Sequence, residues 1–358
     1  MHNFFVRVAA CFIPQKNKRR EFREKHLHKT IKDKIKTLDK KISTLADILH
    51  NLESVQKNFF QQNNISNDIH YIKNFLTRTT DITTISPAHG NLRLIQQGSA
   101  KLLAFIDLIC RKNNLRYWMH YGTLIGAIRH KGFIPWDDDI DICMMRDDFD
   151  KLIDIMNKIF KNSDFIFNVG DVIKVFYKNC PIRVDIFPFD QYYKSISTKQ
   201  DIDDFWTKNI QARDQVWFDW NNLLSGFPDD IPSNTKTYKE IRKISDDIIM
   251  ENKKTVSDGT LFRGIECIRT DMVTYEPEWI FPVQDMEFEG YSLMGPNRPD
   301  FILMQRWNSD CWDYPHDMKP KHDCTHAYIN METIPLIEEF LKIPNIDIYN
   351  SLIKQNGK

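Results

Sequence analysis

The strongest regularity in the chain lies near its start. Ile31, Ile35, Leu38, Ile42, Leu45, Leu49 and Leu52 recur at alternating steps of four and three residues, and Gln56 and Phe59 continue the frame. An apolar repeat of 3.5 residues predicts a helix with a left-handed seam for a partner helix. With Leu38, Leu45 and Leu52 at the d positions, the a positions are Ile35, Ile42, Leu49 and Gln56, a combination that leans towards a parallel pair. The spacing predicts a coiled-coil helix over 31–72 and a homo-oligomer formed through 31–59. The alternative is an amphipathic helix folded back on its own chain. The polar stretch from Gln61 to Asn67 marks a hinge.

After Ser-Pro-Ala-His-Gly at 86–90, helical spacing resumes with Leu92, Ile95, Ala100, Leu103, Ile106 and Ile109. Short apolar alternations predict strands near 116–120, 139–145, 165–169, 172–177 and 182–187. Between the second and third strands, Phe149, Leu152, Ile153, Met156 and Phe160 share one helical face, so a helix follows Arg146. The span 201–255 reads as mostly helical, broken by Ser-Gly-Phe-Pro-Asp-Asp-Ile-Pro-Ser-Asn. A catalytic domain over 86–345 and a tail over 346–358 complete the expected organisation.

Composition changes this picture in three places. With 24 Phe, 12 Tyr and 8 Trp and 42% hydrophobic residues, the chain can bury a sizeable core, which excludes wholesale disorder. Its 49 basic and 49 acidic residues cancel, so there is no overall basic excess of the kind nucleic-acid binders carry, and no nucleic-acid partner is expected. Locally the balance breaks: residues 1–50 hold 13 Lys or Arg against 5 Asp or Glu, and residues 137–150 hold seven Asp and one Arg. The basic front begins with an apolar segment at 4–13 followed by Lys16, Lys18, Arg19, Arg20 and Arg23. Residues 1–30 therefore have the form of a peripheral membrane contact, with an ordinary packed helix as the alternative. No run of 18 apolar residues exists, and the basic run follows the apolar stretch instead of preceding it as in a secretory signal. Seven widely spaced cysteines without a Cys-x-x-Cys pair suit reduced thiols, and the expected setting is the bacterial cytoplasm, possible contact with the inner face of the membrane included.

The acidic patch carries the chemistry. Asp139 and Asp141 flank Ile140. If Ile140 and Ile142 enter a core from a strand, the two carboxylates share the opposite face and repel unless a cation lies between them. Hard oxygen ligands suit Mg²⁺ or Mn²⁺ bridging to phosphate oxygens. Asp185 lies in a second alternation, Ile182, Val184 and Ile186, with Arg183 on its own side. A neighbouring strand would bring it to the pair, giving the minimum apparatus for in-line phosphoryl transfer. Of Asp137 and Asp138, only one can share this face. A solvated acidic turn would not explain the alternating isoleucines, and a calcium loop would spread its acids over twelve residues around a glycine.

Upstream, Gly122, Thr123 and Gly126 open a helix, where backbone N–H groups and the Thr123 hydroxyl can meet a phosphate. Arg129, His130 and Lys131 can neutralise a diphosphate or simply sit on the surface. Near the C-terminus, Cys311, His316, His322, Cys324 and His326 offer zinc ligands, but their spacing matches no common finger. The preferred reading makes Lys319, Lys321 and His322 a basic loop closing over nucleotide phosphates.

The segment Tyr117–Leu152, then Val-Asp-Ile-Phe-Pro-Phe-Asp at 184–190, Phe-Glu-Gly at 288–290 and the basic loop ending at His322 resemble the LicD family of phosphocholine transferases, which includes the fukutin-type transferases. The likeness covers roughly 86–330. It implies an α+β nucleotidyltransferase-like fold of the polymerase β type with a mixed sheet, and a donor that is a CDP-activated alcohol such as choline, ribitol or glycerol. Transfer of the phosphoryl-alcohol to a hydroxyl of a glycan or lipid-linked glycan would release CMP. By the same likeness Asp139 and Asp141 would be the metal-binding pair, Asp185 the third acid, Gly122 and Thr123 the glycine-plus-hydroxyl turn, and Trp136 a residue of the donor pocket. The chain departs from the family at Trp307-Asn308, where members often carry Tyr-Gly. Two other readings are true nucleotidyl transfer to a sugar phosphate or protein, and a non-catalytic scaffold of a glycan-assembly complex.

Overall fold

The structure is a computed structural model. It describes residues 70–192, 198–216, 236–252, 260–267, 273–314 and 332–356, together with scattered helical residues between 18 and 41. Two compact units divide the chain, Met1–Phe75 and Leu76–Lys358. In the first, residues 32–38 are helical, with Ile35 and Leu38 exposed. Ile31, Ile42, Leu45, Leu49, Leu52, Gln56 and Phe59 lie outside the described residues, as does most of the segment expected to contact a membrane. Among the described residues no helix is long and apolar enough to cross a membrane.

The second unit is an α+β domain. Helix α1 (Gly90–Lys112) is followed by β1 (Trp118–Met119), α2 (Tyr121–His130), β2 (Asp141–Met145), α3 (Arg146–Ile159), β3 (Phe165–Val169), β4 (Ile173–Tyr177) and β5 (Arg183–Tyr192). Next come α4 (Lys199–Phe205), which runs into a wider turn at Trp206–Ile210, and α5 (Lys236–Asn252). The strands β6 (Thr260–Arg263) and β7 (Thr274–Tyr275) and the single turn α6 (Pro277–Ile280) precede a hairpin of β8 (Gln284–Phe288) and β9 (Tyr291–Gly295). Helix α7 (Pro299–Trp307), a 3-10 turn at Asn308–Trp312, α8 (Thr333–Lys342) and α9 (Asn345–Asn356) end the described chain.

The main sheet has the order β1-β2-β5-β4-β3, with β6 also paired to β5 and β7 to β6. Only β2 and β5 run parallel among these pairs, so the sheet is mixed. Strand β5 is long enough to pair β4 through Arg183–Ile186 and β6 through Phe189–Tyr192 on the same edge. Its first half therefore belongs to one neighbour and its second half to another.

Burial follows the apolar periods. Ile140, Ile142, Ile182, Val184 and Ile186 are fully buried and join Leu102, Leu103, Phe105, Ile106 and Ile109 of α1 in one core. Rings fill the end of that core: Phe165 stacks on Phe105 at 4.7 Å and on Phe160 at 5.1 Å, and Tyr177 on Phe340 at 4.2 Å. The strands expected near 165–169 and 172–177 are present almost residue for residue.

The compact unit that contains these elements begins at Leu76. The presumed tail 346–358 is a helix through Asn356: Leu352 is buried in the core, and the Asn356 side-chain amide donates to the Ile159 carbonyl at 2.9 Å. Ile348 and Tyr349 pack against the same core, and the Gln355 side chain donates to the Asn162 carbonyl at 2.9 Å.

Candidate active site

The loop from Lys131 to Ile140 carries the first acids to the sheet, and two side chains, one buried and one partly buried, shape it. Gln96 of α1 is fully buried, and its amide donates to the carbonyls of Asp137 at 2.8 Å, Pro135 at 3.3 Å and Ile134 at 3.4 Å. Glu289, in the β8–β9 turn, takes a two-point pair from Arg93 at 2.9 and 2.6 Å and accepts the Phe133 N–H at 3.1 Å. A Cβ on Gly132 would fall 2.3 Å from Glu289 Oε1, so that approach requires glycine. The Phe-Glu-Gly segment thus acts on the acids indirectly, by holding the loop that presents them.

Parallel pairing then sets the acids side by side. Asp141 on β2 is the register partner of Asp185 on β5. The Asp141 N–H donates to the Thr123 hydroxyl at 2.8 Å, which ties the start of β2 to α2. Asp137, Asp139, Asp141 and Asp185 line one cleft of about 340 Å³ with Tyr121, Gly122, Phe187, Arg263, Arg306 and Trp307. Carboxylate oxygens of Asp137, Asp138 and Asp139 also come within 4.8 Å of one another, but Asp138 is buried and is not part of the cleft lining.

Crowding has an electrostatic signature. Burial, then the charges of Asp139 and Asp138, push the Asp137 carboxyl up to about 8, with a further contribution from its hydrogen bond to Asp139. A carboxyl that holds its proton near neutrality marks a place where negative charge exceeds what the protein neutralises. Arg183 supplies part of the balance, 3.5 Å from Asp139 and 3.6 Å from Asp185. An all-oxygen donor set with surplus negative charge fits a hard divalent cation. A Cβ on Gly122 would lie 2.5 Å from Asp137 Oδ2, so this glycine makes room for a carboxyl at the start of α2.

The expected basic residues are distributed differently. Arg129 is buried: it donates to the Cys311 carbonyl at 2.6 Å and to His130 Nε2 at 2.9 Å, and its guanidinium lies 5.8 Å from the centre of the Trp136 ring. Arg129 therefore joins α2 to the 3-10 turn at Asn308–Trp312, with His130 and Trp136 beside its guanidinium, and none of the three lines the acidic cleft. Lys131 caps α2 in the left-handed conformation, φ 57°, away from the cleft lining. Thr123 is buried beneath the acids. Lys319, Lys321 and His322, with His316, Cys324 and His326, lie outside the described residues, whereas Cys311 is a buried thiol.

Sequence reasoning missed Arg263, Arg306, Tyr121 and Phe187 as cleft residues. Arg263 and Arg306 stand far along the chain from the acids and carry no local signal. Trp307 was noticed only as a departure from a family pattern, and it is a wall of the cleft.

A mixed sheet that sets acids from two parallel strands and their leading loop in one cleft defines the nucleotidyltransferase-like class. The chain carries a LicD-family nucleotidyltransferase-like domain: residues 114–224 match the family described as LicD/FKTN/FKRP, nucleotidyltransferase domain. Among individual relatives, the lipopolysaccharide cholinephosphotransferase LicD of Haemophilus influenzae is 33% identical over 120 residues, covering 28% of this chain and 44% of that protein. Ribitol 5-phosphate transferase FKRP of Mus musculus is 28% identical over 144 residues, 36% of this chain and 27% of that protein. An uncharacterized protein of Rickettsia prowazekii is 60% identical over 37 residues, 10% of this chain and 14% of that protein. The chain thus spans less than half the length of the curated relatives it matches.

Proposed function

We propose that this protein transfers a phosphoryl-alcohol from a CDP-activated donor to a glycan hydroxyl, with Mg²⁺ or Mn²⁺ held by Asp139, Asp141 and Asp185. The observation that carries the reading is the parallel register of Asp141 with Asp185, which joins both acids to Asp137 and Asp139 in one cleft. The relatives' names point to cholinephosphate and ribitol 5-phosphate as groups moved by similar domains, and both are phosphoryl-alcohols. When bound, the cation would neutralise charge on the transferring phosphate.

The protein's own residues do the rest. Asp139 and Asp141, fixed by β2 and its leading loop, would hold that cation beside the donor's phosphates. Asp185 accepts the proton of the acceptor hydroxyl as its oxygen attacks the alcohol-bearing phosphorus. The bond from that phosphorus to the bridging oxygen breaks, and the oxygen leaves with the nucleotide as CMP. Trp307 and Phe187 flank the donor, and the coiled-coil reading of 31–72 and the basic segment 1–30 provide self-association and a membrane contact close to a lipid-linked acceptor.

Phosphorus NMR tests the reaction, with the full chain, Mg²⁺ and CDP-choline, CDP-ribitol or CDP-glycerol, each with and without a glycan extract. The expected result is CMP released only when one donor and the glycan are both present, with a new phosphodiester signal. Appearance of the nucleotide's own phosphorus in the product would instead establish nucleotidyl transfer.

A further inference from the structure

Besides its four acids, the cleft is lined by an assembly of arginines on aromatic rings. Arg263, the last residue of β6, donates to the Tyr121 hydroxyl at 3.2 Å and to the Cys267 carbonyl, and its guanidinium lies over the rings of Tyr121 and Phe187 at 5.8 and 5.7 Å. Arg306, in the last turn of α7, lies over Tyr121 at 5.2 Å and over Trp307 at 5.5 Å. Tyr121 and Phe187 meet edge to face at 5.3 Å. Two guanidiniums on one tyrosine ring repel each other; Arg263 is kept there by Tyr121 and Cys267, and Arg306 by a chain of hydrogen bonds.

That chain starts at a buried histidine. His120 is fully buried, and its Nε2 lies 3.2 Å from the Tyr275 hydroxyl, with which it hydrogen-bonds. Tyr275 in turn hydrogen-bonds with Arg306. The backbone at Tyr121 is also committed to this arrangement. Its φ of 47° lies in the left-handed region, which a bulky side chain occupies at a cost of about 1–3 kcal/mol, and such a conformation persists where surrounding contacts over-determine it.

We propose that Arg263 and Arg306, held on Tyr121 in the same cleft as the four aspartates, bind the phosphate that departs with the nucleotide. The assignment rests on the phosphotransfer reading above and supplies the basic groups that Arg129 and His130 do not. When the bond from the alcohol-bearing phosphorus to the bridging oxygen breaks, that oxygen keeps the electron pair and negative charge grows on the nucleotide's phosphate. Two fixed guanidiniums meet this charge without reorganising, which is where electrostatic stabilisation is most effective. The arginine wall thus holds the leaving group, while the carboxylates would hold the cation for the transferred group.

Calorimetric titration of the full chain in Mg²⁺ with CMP, and separately with cytidine, tests the wall. Arg306→Gln and Arg263→Gln should each weaken CMP about ten- to a hundredfold while leaving cytidine binding unchanged, and Arg306→Lys should recover part of the loss. Thermal melting and Mn²⁺ binding serve as fold controls, and if Arg263→Gln does not fold, the half-buried Arg306 decides. CMP affinity within twofold of the wild type in both variants, or equal loss of CMP and cytidine, overturns the assignment. If the wild type ignores CMP but binds AMP, GMP or UMP in an arginine-dependent way, the wall stands and the CDP-donor reading falls. If CMP binds with no arginine dependence, the wall falls and the donor reading stands. No binding of any of these nucleotides defeats both.

Discussion

Strand β5 carries two buried aspartates five residues apart, and they live in opposite electrostatic worlds. Asp190, at the far end, pairs with Arg146 at 2.6 and 2.8 Å, and Arg146 in turn pairs with Glu266 at 2.5 Å. Ser245 adds a hydroxyl to Asp190 at 3.2 Å. Asp185, at the near end, faces other acids, with Arg183 3.6 Å away as a looser counter-ion. Both sites lie on the parallel pair β2–β5, one at the starts of the strands and one at their ends. The far end neutralises its charges with directed hydrogen bonds and becomes part of the scaffold. At the near end negative charge accumulates until Asp137 holds a proton near pH 8, leaving the cleft ready for a cation.

The comparison breaks most sharply at Asp141. Asp141→Asn should reduce turnover to background, because it removes a charged oxygen ligand, while thermal melting changes little. Full activity in that variant would sink the metal-site assignment, and chelation of divalent ions should mimic the loss in the wild type. At the other end the expected signs reverse. Arg146→Met strands two buried carboxylates and should cost about 3–5 kcal/mol of stability by urea unfolding, with Mn²⁺ affinity of the folded fraction preserved. An unchanged unfolding midpoint would mean that Asp190 and Glu266 do not depend on Arg146.

Between these extremes lies the loop that delivers Asp137 and Asp139. Gln96→Ala leaves loop carbonyls without their buried donor and should cost about 1–3 kcal/mol, with turnover falling more than that loss of folded protein explains. Activity in proportion to folded protein would make Gln96 purely structural. The smallest expected effect is a pH dependence. His130 is pulled down to about 4 by burial and by Arg129, against smaller opposing contributions from the Thr83 backbone and Asp81. Its folded value lies below its unfolded one, so its contribution is complete above about pH 6.5 and is lost as the pH falls towards 4. His130→Gln should therefore narrow the stability difference between pH 7 and pH 5; an equal difference in both proteins would assign the acid sensitivity elsewhere.

Much of the site was legible because its signals are local. Ile140, Ile142, Ile182, Val184 and Ile186 alternate with polar neighbours, and a period of two both predicts a strand and assigns the faces of Asp141 and Asp185. Asp139 proved to precede β2 instead of lying on it, and it reaches the cleft because its loop is tied down. The basic residues of α2 were harder to place, since Arg129 and His130 look equally suited to a phosphate, a surface or a buried contact.

The sequence by itself determined the acids, their strands and the core beneath them, since strand period and side-chain polarity act between near neighbours. It also determined the apolar repeat at 31–59, whose seam lies largely outside the described residues. Only the tertiary structure decided which distant cations join Arg183 around those acids. Arg129 turns to the Cys311 carbonyl, while Arg263 and Arg306 arrive from β6 and α7. A long charged side chain is directed by whichever distant acceptor or ring lies within reach, and that choice exists only after the chain has folded.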